Sequence, residues 1–136
     1  MSAAETRALI ERYYAAFNEG SIEGMLACLD EDVAHDVNQG GRRIGVEAFK
    51  DFSIHMKRSY KERLADMVIM VSEDGTRAAA EFTVHGTYLE TDEGLPPAKG
   101  QTYTLPAGTF FQIEDGRIVR VTTHYNLKDW IAQVGG

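Results

Sequence analysis

Residues 30–41, DEDVAHDVNQGG, set a histidine beside an aspartate and place an asparagine two residues further on. An imidazole suits proton transfer near neutral pH, because its ordinary pKa is about 6.5. A carboxylate can serve the same end. Residues 33–38 read as a short strand, and aspartate and asparagine are depleted in strand interiors. Successive side chains of a strand point to opposite faces, so His35 and Val37 share one face and Asp36 and Asn38 the other. A bulge after Asp32 would exchange the two sets. His35 and Asp36 therefore both stand as proton-transfer candidates, with Asn38 as a ligand-binding neighbour. The competing reading is a polar strand end running into the NQGG turn.

Other polar groups fall on faces that must be buried. In 78–88 the apolar alternation holds Phe82 and Tyr88, in 103–113 it holds Thr109 and Phe111, and in 117–126 it holds Thr123 and Tyr125. Tyr13 and Phe17 share a helical stripe with Ile10. Hydroxyls buried in a core need partners or water. Several converging on one space describe an apolar pocket with a few placed polar groups, and Tyr13 could stabilise an oxyanion there. The bland alternative has each tyrosine packing its ring and sending its hydroxyl to a rim. His85, His124 and Asn126 fall on the outer faces, and His55, among charged helix residues, reads as solvated. The four histidines lack carboxylates at ligand spacing, so no metal site is expected. Cys28 reads as a small buried hydrophobe.

These residues need a scaffold of helices followed by strands. Ser2 and Glu5 have capping-box spacing and open a first helix. SIEGMLACL reads as a second, short helix. VEAFKDFSIHMKRSY reads as a third, with Phe49, Phe52 and Met56 on its buried stripe. Residues 63–72, 76–90, 101–114 and 117–126 read as strands. Asp74-Gly75 and Asp115-Gly116 join neighbouring pairs as hairpins. TDEGLPPAKG is a longer exposed loop, and LKDWIAQV reads as a closing helix. Helices first and an antiparallel meander after is an α+β pattern.

The chain of 136 residues fits one domain, 1–136. A net charge of −7, with no basic cluster beyond Gly41-Arg42-Arg43, argues against nucleic acid and anionic membrane as partners. No run is long enough to cross a bilayer, and the N-terminus lacks the apolar core of a signal peptide, which makes a cytoplasmic protein the expectation. One cysteine excludes an internal disulfide.

RYYAAFNEGSIEGMLACLDEDV resembles the opening of the ketosteroid isomerases. HGTYLETDEGLPPAKGQTYTLPAGTFFQIEDGRIVRV resembles the SnoaL-like polyketide cyclases. Both families belong to the nuclear transport factor 2-like superfamily, and the resemblance spans roughly residues 5–130. It implies a cone-shaped α+β barrel, with N-terminal helices on the concave face of a curved, mostly antiparallel sheet. It also implies a deep pocket between the two and a homodimer through the sheet. The isomerases place a tyrosine after an arginine in the first helix, and Arg12-Tyr13 matches. Their base aspartate falls on Val37, with Asp36 one residue early, and their protonated aspartate falls on Thr109. The cyclases' aspartate falls on Thr123. The resemblance thus implies a relative with altered chemistry, without classical ketosteroid isomerisation. The expected protein is a cofactor-independent acid/base enzyme of isomerase, cyclase or hydratase type acting on a small lipophilic molecule. A non-catalytic binding or dimerisation module of the same fold is the alternative.

Overall fold

The computed structural model describes residues 2–135. The chain opens with α1 (Ala3–Glu19) and the one-turn α2 (Ile22–Leu26), then β1 (Leu29–Val37), β2 (Arg42–Ile44) and α3 (Val46–Ser59). Four long strands follow, β3 (Tyr60–Val71), β4 (Arg77–Tyr88), β5 (Thr102–Glu114) and β6 (Arg117–Tyr125), and α4 (Leu127–Val134) ends the described chain. The capping box forms as its spacing predicts. The Ser2 hydroxyl accepts from the Glu5 N–H at 3.1 Å, and the Glu5 carboxylate accepts from the Ser2 N–H at 3.0 Å. Gly20 closes α1 in the left-handed region, at φ 75°, where a Cβ would be strained.

The six strands form one sheet in the order β2-β1-β6-β5-β4-β3. It is antiparallel except where β1 runs parallel to β6. It curves without closing, and its concave face receives the helices. Asp115 and Gly116 both take positive φ, 50° and 76°, as a tight hairpin turn between right-twisted strands requires. Short polar bonds fix the helices to the sheet. The Thr6 hydroxyl donates to Gly75 O at 2.6 Å, and the Asn18 side chain donates to Leu64 O and accepts from Leu64 N. At the far end, the Gln133 side chain brackets the Thr104 backbone and holds α4 on β5. Ile10, Val33 and Ile118 are fully buried, and each contributes about 1.5–3 kcal/mol by leaving water.

The structure departs from the sequence reading at several points: α2 stops at Leu26 rather than at Leu29, β1 starts at Leu29 rather than at residue 33, and β3 starts at Tyr60 rather than at residue 63. β2 is a short strand that pairs His35 with Arg43, where a turn alone was expected. In β6, Ile118 is buried although simple alternation from Val121 sets it outward. The β5–β6 register shifts between Gln112 and Ile113, and the extra residue returns Ile118 to the core. In β3 a shift between Ala65 and Val68, with Asp66 at φ 56°, turns the inward set from Tyr60, Glu62 and Leu64 to Met67, Ile69 and Val71.

Candidate functional site

The register places the concave-face residues in cross-strand rows. One row runs Val37, Thr123, Thr109, Ala80 and Ile69, and the next runs His35, Val121, Phe111, Ala78 and Val71. Toward the other end of the sheet, Tyr103, Gly86 and Glu62 form a third row.

His35 lies on the concave face, 4% exposed. The β1 bulge falls between Leu29 and Ala34 and leaves this side chain inward. Its ring is held between Phe49 and Phe52, both at 4.7 Å between centroids. Among the described residues, His35 Nδ1 is the one fully buried side-chain nitrogen or oxygen without a hydrogen bond. Burial, aided by the Arg43 cation and opposed by Asp36, pulls its pKa down to about 4. The imidazole is therefore neutral at pH 7: a weak proton acceptor but a competent neutral hydrogen-bond donor. Arg43 stacks over Phe52 at 4.8 Å.

Asp36 points the other way. Arg42 donates to both of its oxygens, at 2.7 and 2.9 Å, and Thr122 donates at 3.2 Å. The Arg42 hydrogen bond holds its carboxyl below the usual range. This geometry separates Asp36 from His35 and from the concave face. Asn38 is exposed and bonds the Tyr125 backbone, bridging the ends of β1 and β6.

Tyr13 is buried where the helical stripe put it. Its ring meets Tyr14, Phe111 and Phe49 edge-on, at 5.1, 5.7 and 6.5 Å. Burial, with Tyr14 and Cys28 close by, drives its phenol well above the usual range. Tyr13 and Tyr88, expected to converge, lie in separate aromatic groups, Tyr13 with Tyr14 and Phe111, Tyr88 with Tyr60 and Trp130. Thr109 faces Tyr14, whose phenol burial raises and the Thr109 hydroxyl partly restrains. Tyr88 spends its hydroxyl on Pro96 O, at 2.7 Å, and on the Asp92 N–H, at 2.9 Å. Phe82 and Phe111 pack against Tyr14, and Phe17 is partly buried beside the core. Thr123 and Tyr125 are half-buried.

A second polar group was not legible in the sequence. The Tyr103 hydroxyl donates to Glu62 Oε2 at 2.6 Å, and the Tyr60 hydroxyl donates to Asp92 at 2.7 Å. His55, exposed as expected, contacts the other Asp92 oxygen at 2.9 Å. Trp130 meets Tyr60, Tyr88 and Tyr103 edge-to-face, at 5.9, 4.9 and 5.9 Å. Asn126 caps α4 through the Asp129 N–H, where an outer-face position was expected. Burial raises the Glu62 pKa, which the Tyr103 hydroxyl offsets in part. Two surface hollows, of about 380 and 360 Å³, lie at Ser72–Asp74 and among Arg7, Glu11, Tyr14, Met67 and Ile69; neither includes His35 or Glu62. No group of three or more histidine, cysteine or acidic side chains is arranged to hold a metal among the described residues. None of their helices is long and apolar enough to cross a membrane.

Helices on the concave face of an open, curved, mostly antiparallel sheet define the nuclear transport factor 2-like cone. An NTF2-like protein from Burkholderia pseudomallei shares this fold at a TM-score of 0.83 and 23% identity, over 100% of both chains. Within that class the chain belongs to the SnoaL-like domain family, whose model matches residues 10–121. A "putative polyketide cyclase" from a Silicibacter species is 58% identical, with a TM-score of 0.96, over 100% of this chain and 99% of that one. Another, from Pseudomonas putida, is 59% identical, with a TM-score of 0.93, over 98% of each. No curated protein sequence matches the chain.

Proposed function

We propose that the protein is a cofactor-independent acid/base enzyme of isomerase, cyclase or hydratase type, acting on a small lipophilic molecule held against the concave face. His35 carries this reading. A buried imidazole used only for packing would have its ring nitrogens satisfied, yet Nδ1 has no partner. A neutral N–H between two phenyl rings is suited to hydrogen-bonding a substrate carbonyl as it gains negative charge. Tyr13 lies beyond Phe49 and can contribute a second hydroxyl once a ligand parts the rings. The names carried by the relatives at 58% and 59% identity support a cyclase-like role. We place the protein in the cytoplasm, as a homodimer.

The absence of carboxylates at Val37, Thr109 and Thr123 favours a second reading, a binding module without turnover. Both are tested in heavy water with lipophilic ketones, beginning with 1-tetralone. Mass spectrometry should detect deuterium entering the carbon next to the carbonyl faster with protein than in buffer. Binding without exchange across the panel would assign the second reading, and neither binding nor exchange would sink both.

A further inference from the structure

Three neighbouring residues across β3, β4 and β5 make an arrangement that core packing does not require. Tyr103, Gly86 and Glu62 stand in register on the concave face. The Tyr103 ring lies flat over Gly86: a Cβ there would sit 2.2 Å from Tyr103 Cζ and 2.4 Å from its hydroxyl oxygen. The missing side chain lets the phenol cross a whole strand and bond Glu62 on the next. The bond goes to one carboxylate oxygen, Oε2, and no other described residue bonds Glu62 Oε1. Glu62 is half-buried and so still meets solvent, unlike His35. Tyr125 is half-buried too, and it lies close enough that, after burial itself, the charges of Glu62 and Asp92 push its phenol up. Its hydroxyl has no partner among the described residues. Tyr60 and Asp92 satisfy each other beside it. The free groups are thus one carboxylate oxygen and one phenol, walled by Tyr60, Tyr103 and Trp130.

We infer that Glu62 is the proton-transferring carboxyl of this protein, positioned by Tyr103 across Gly86, with the Tyr125 hydroxyl placed to donate to the oxygen that gains charge. The inference rests on reading the concave face as the site, and it moves the reacting carbonyl from His35 to the Tyr125 end of that face. In the step, the Glu62 carboxylate takes a proton from a carbon beside a carbonyl. The C–H electron pair becomes the enolate double bond, and the carbonyl π pair moves to oxygen, where Tyr125 donates a hydrogen bond. Glu62 then returns the proton, either to another carbon or to the alkoxide formed when the enolate carbon closes on a second carbonyl. Atoms and electrons balance with no further reactant. A carboxyl with its pKa raised toward the working pH is a stronger base than a solvated one. Tyr103 is a positioning residue, since it acts through Glu62.

The probe is 5-nitrobenzisoxazole, a small apolar ring that opens when a base removes its one labile C–H proton: that C–H pair completes the nitrile, and the N–O pair leaves on the phenolate. The wild-type protein should open it faster than acetate does, with a rate that rises as a single group deprotonates above pH 4.5. Glu62→Gln should lose about a hundredfold or more, the scale of a positioned general base. Tyr103→Phe removes the bond that lowers the Glu62 pKa, so the inflection should move to higher pH, and the Glu62 carboxyl carbon should show the same move by NMR without any substrate. Gly86→Ala displaces the Tyr103 ring and should move that titration in the same direction. A wild-type rate retained in Glu62→Gln, a rate no greater than that of acetate, or a Glu62 titration unmoved in Tyr103→Phe would each overturn the assignment. If ketone exchange survives Glu62→Gln, the proposed function stands with a different base; if exchange is absent from the wild type, the function itself fails.

Discussion

His35 and Glu62 show how burial sets the role of a titratable side chain. Each is pushed toward its neutral form, which makes the histidine a weaker base and the glutamate a stronger one. The consequences for stability have opposite signs. The folded-state pKa of His35, about 4, lies below its ordinary 6.5. The unfolded chain therefore binds the extra proton between these values, and stability falls as pH drops through that window. The loss between pH 7 and pH 4 should amount to about 3 kcal/mol. Urea unfolding of wild type and His35→Leu across that range checks it: the gap between the two should shrink by that amount on acidification. A gap independent of pH would mean that the imidazole takes up its proton as readily in the folded protein as in the unfolded chain, so that its pKa is not lowered. For Glu62 the folded pKa is raised, so its contribution is present below 4.5 and lost as pH rises through the folded value.

Among the elements, the sheet carries most of the design, and the sequence disclosed it unevenly. The capping box, both Asp-Gly hairpins and α4 follow from local signals that need no partner. β2 did not, because Arg42, Arg43 and Ile44 are all exposed and show no alternation. The β1–β6 parallel pairing joins residues more than eighty positions apart, as His35 with Val121, and nothing local announces it. Glu62 was hidden in Lys61-Glu62-Arg63, which reads as a solvated charge run. Only the pairing of β3 with β4 shows that Tyr60, Glu62 and Leu64 alternate inward. The division of polar groups into two clusters, with Tyr88 apart from Tyr13, depends on strand curvature that alternation does not encode. The outer face of the same sheet carries a cross-strand row of Met70, Ala79, Phe110 and Thr122. Met70 is 49% and Phe110 51% exposed. A continuous row of this kind can meet its own copy about a two-fold axis. Sedimentation at micromolar concentration should give the dimer mass for the wild type and the monomer mass for Phe110→Lys. A wild-type monomer would remove the outer face as an interface.

At the scale of the whole molecule, the fold separates an outer face, where Met70, Ala79 and Phe110 lie among charged residues such as Arg63, Glu81 and Arg120, from a concave face where charge is rare and placed. His35, behind Phe49 and Phe52, marks one end of that face, and Glu62, beneath Tyr103, marks the other. Thr123 and Tyr125 stand along β6 between them. In the proposed function, the concave face is the seat of the chemistry. That claim is tested most directly by titrating the labelled protein with 1-tetralone and following its NMR spectra. The indole N–H of Trp130, the one tryptophan of the chain, and the amides of His35, Glu62, Thr123 and Tyr125 should shift together to saturation, while Phe110 and His124 on the outer face stay still. Shifts confined to Phe110, His124 and their neighbours, or no saturable shift in the concave set, would contradict it.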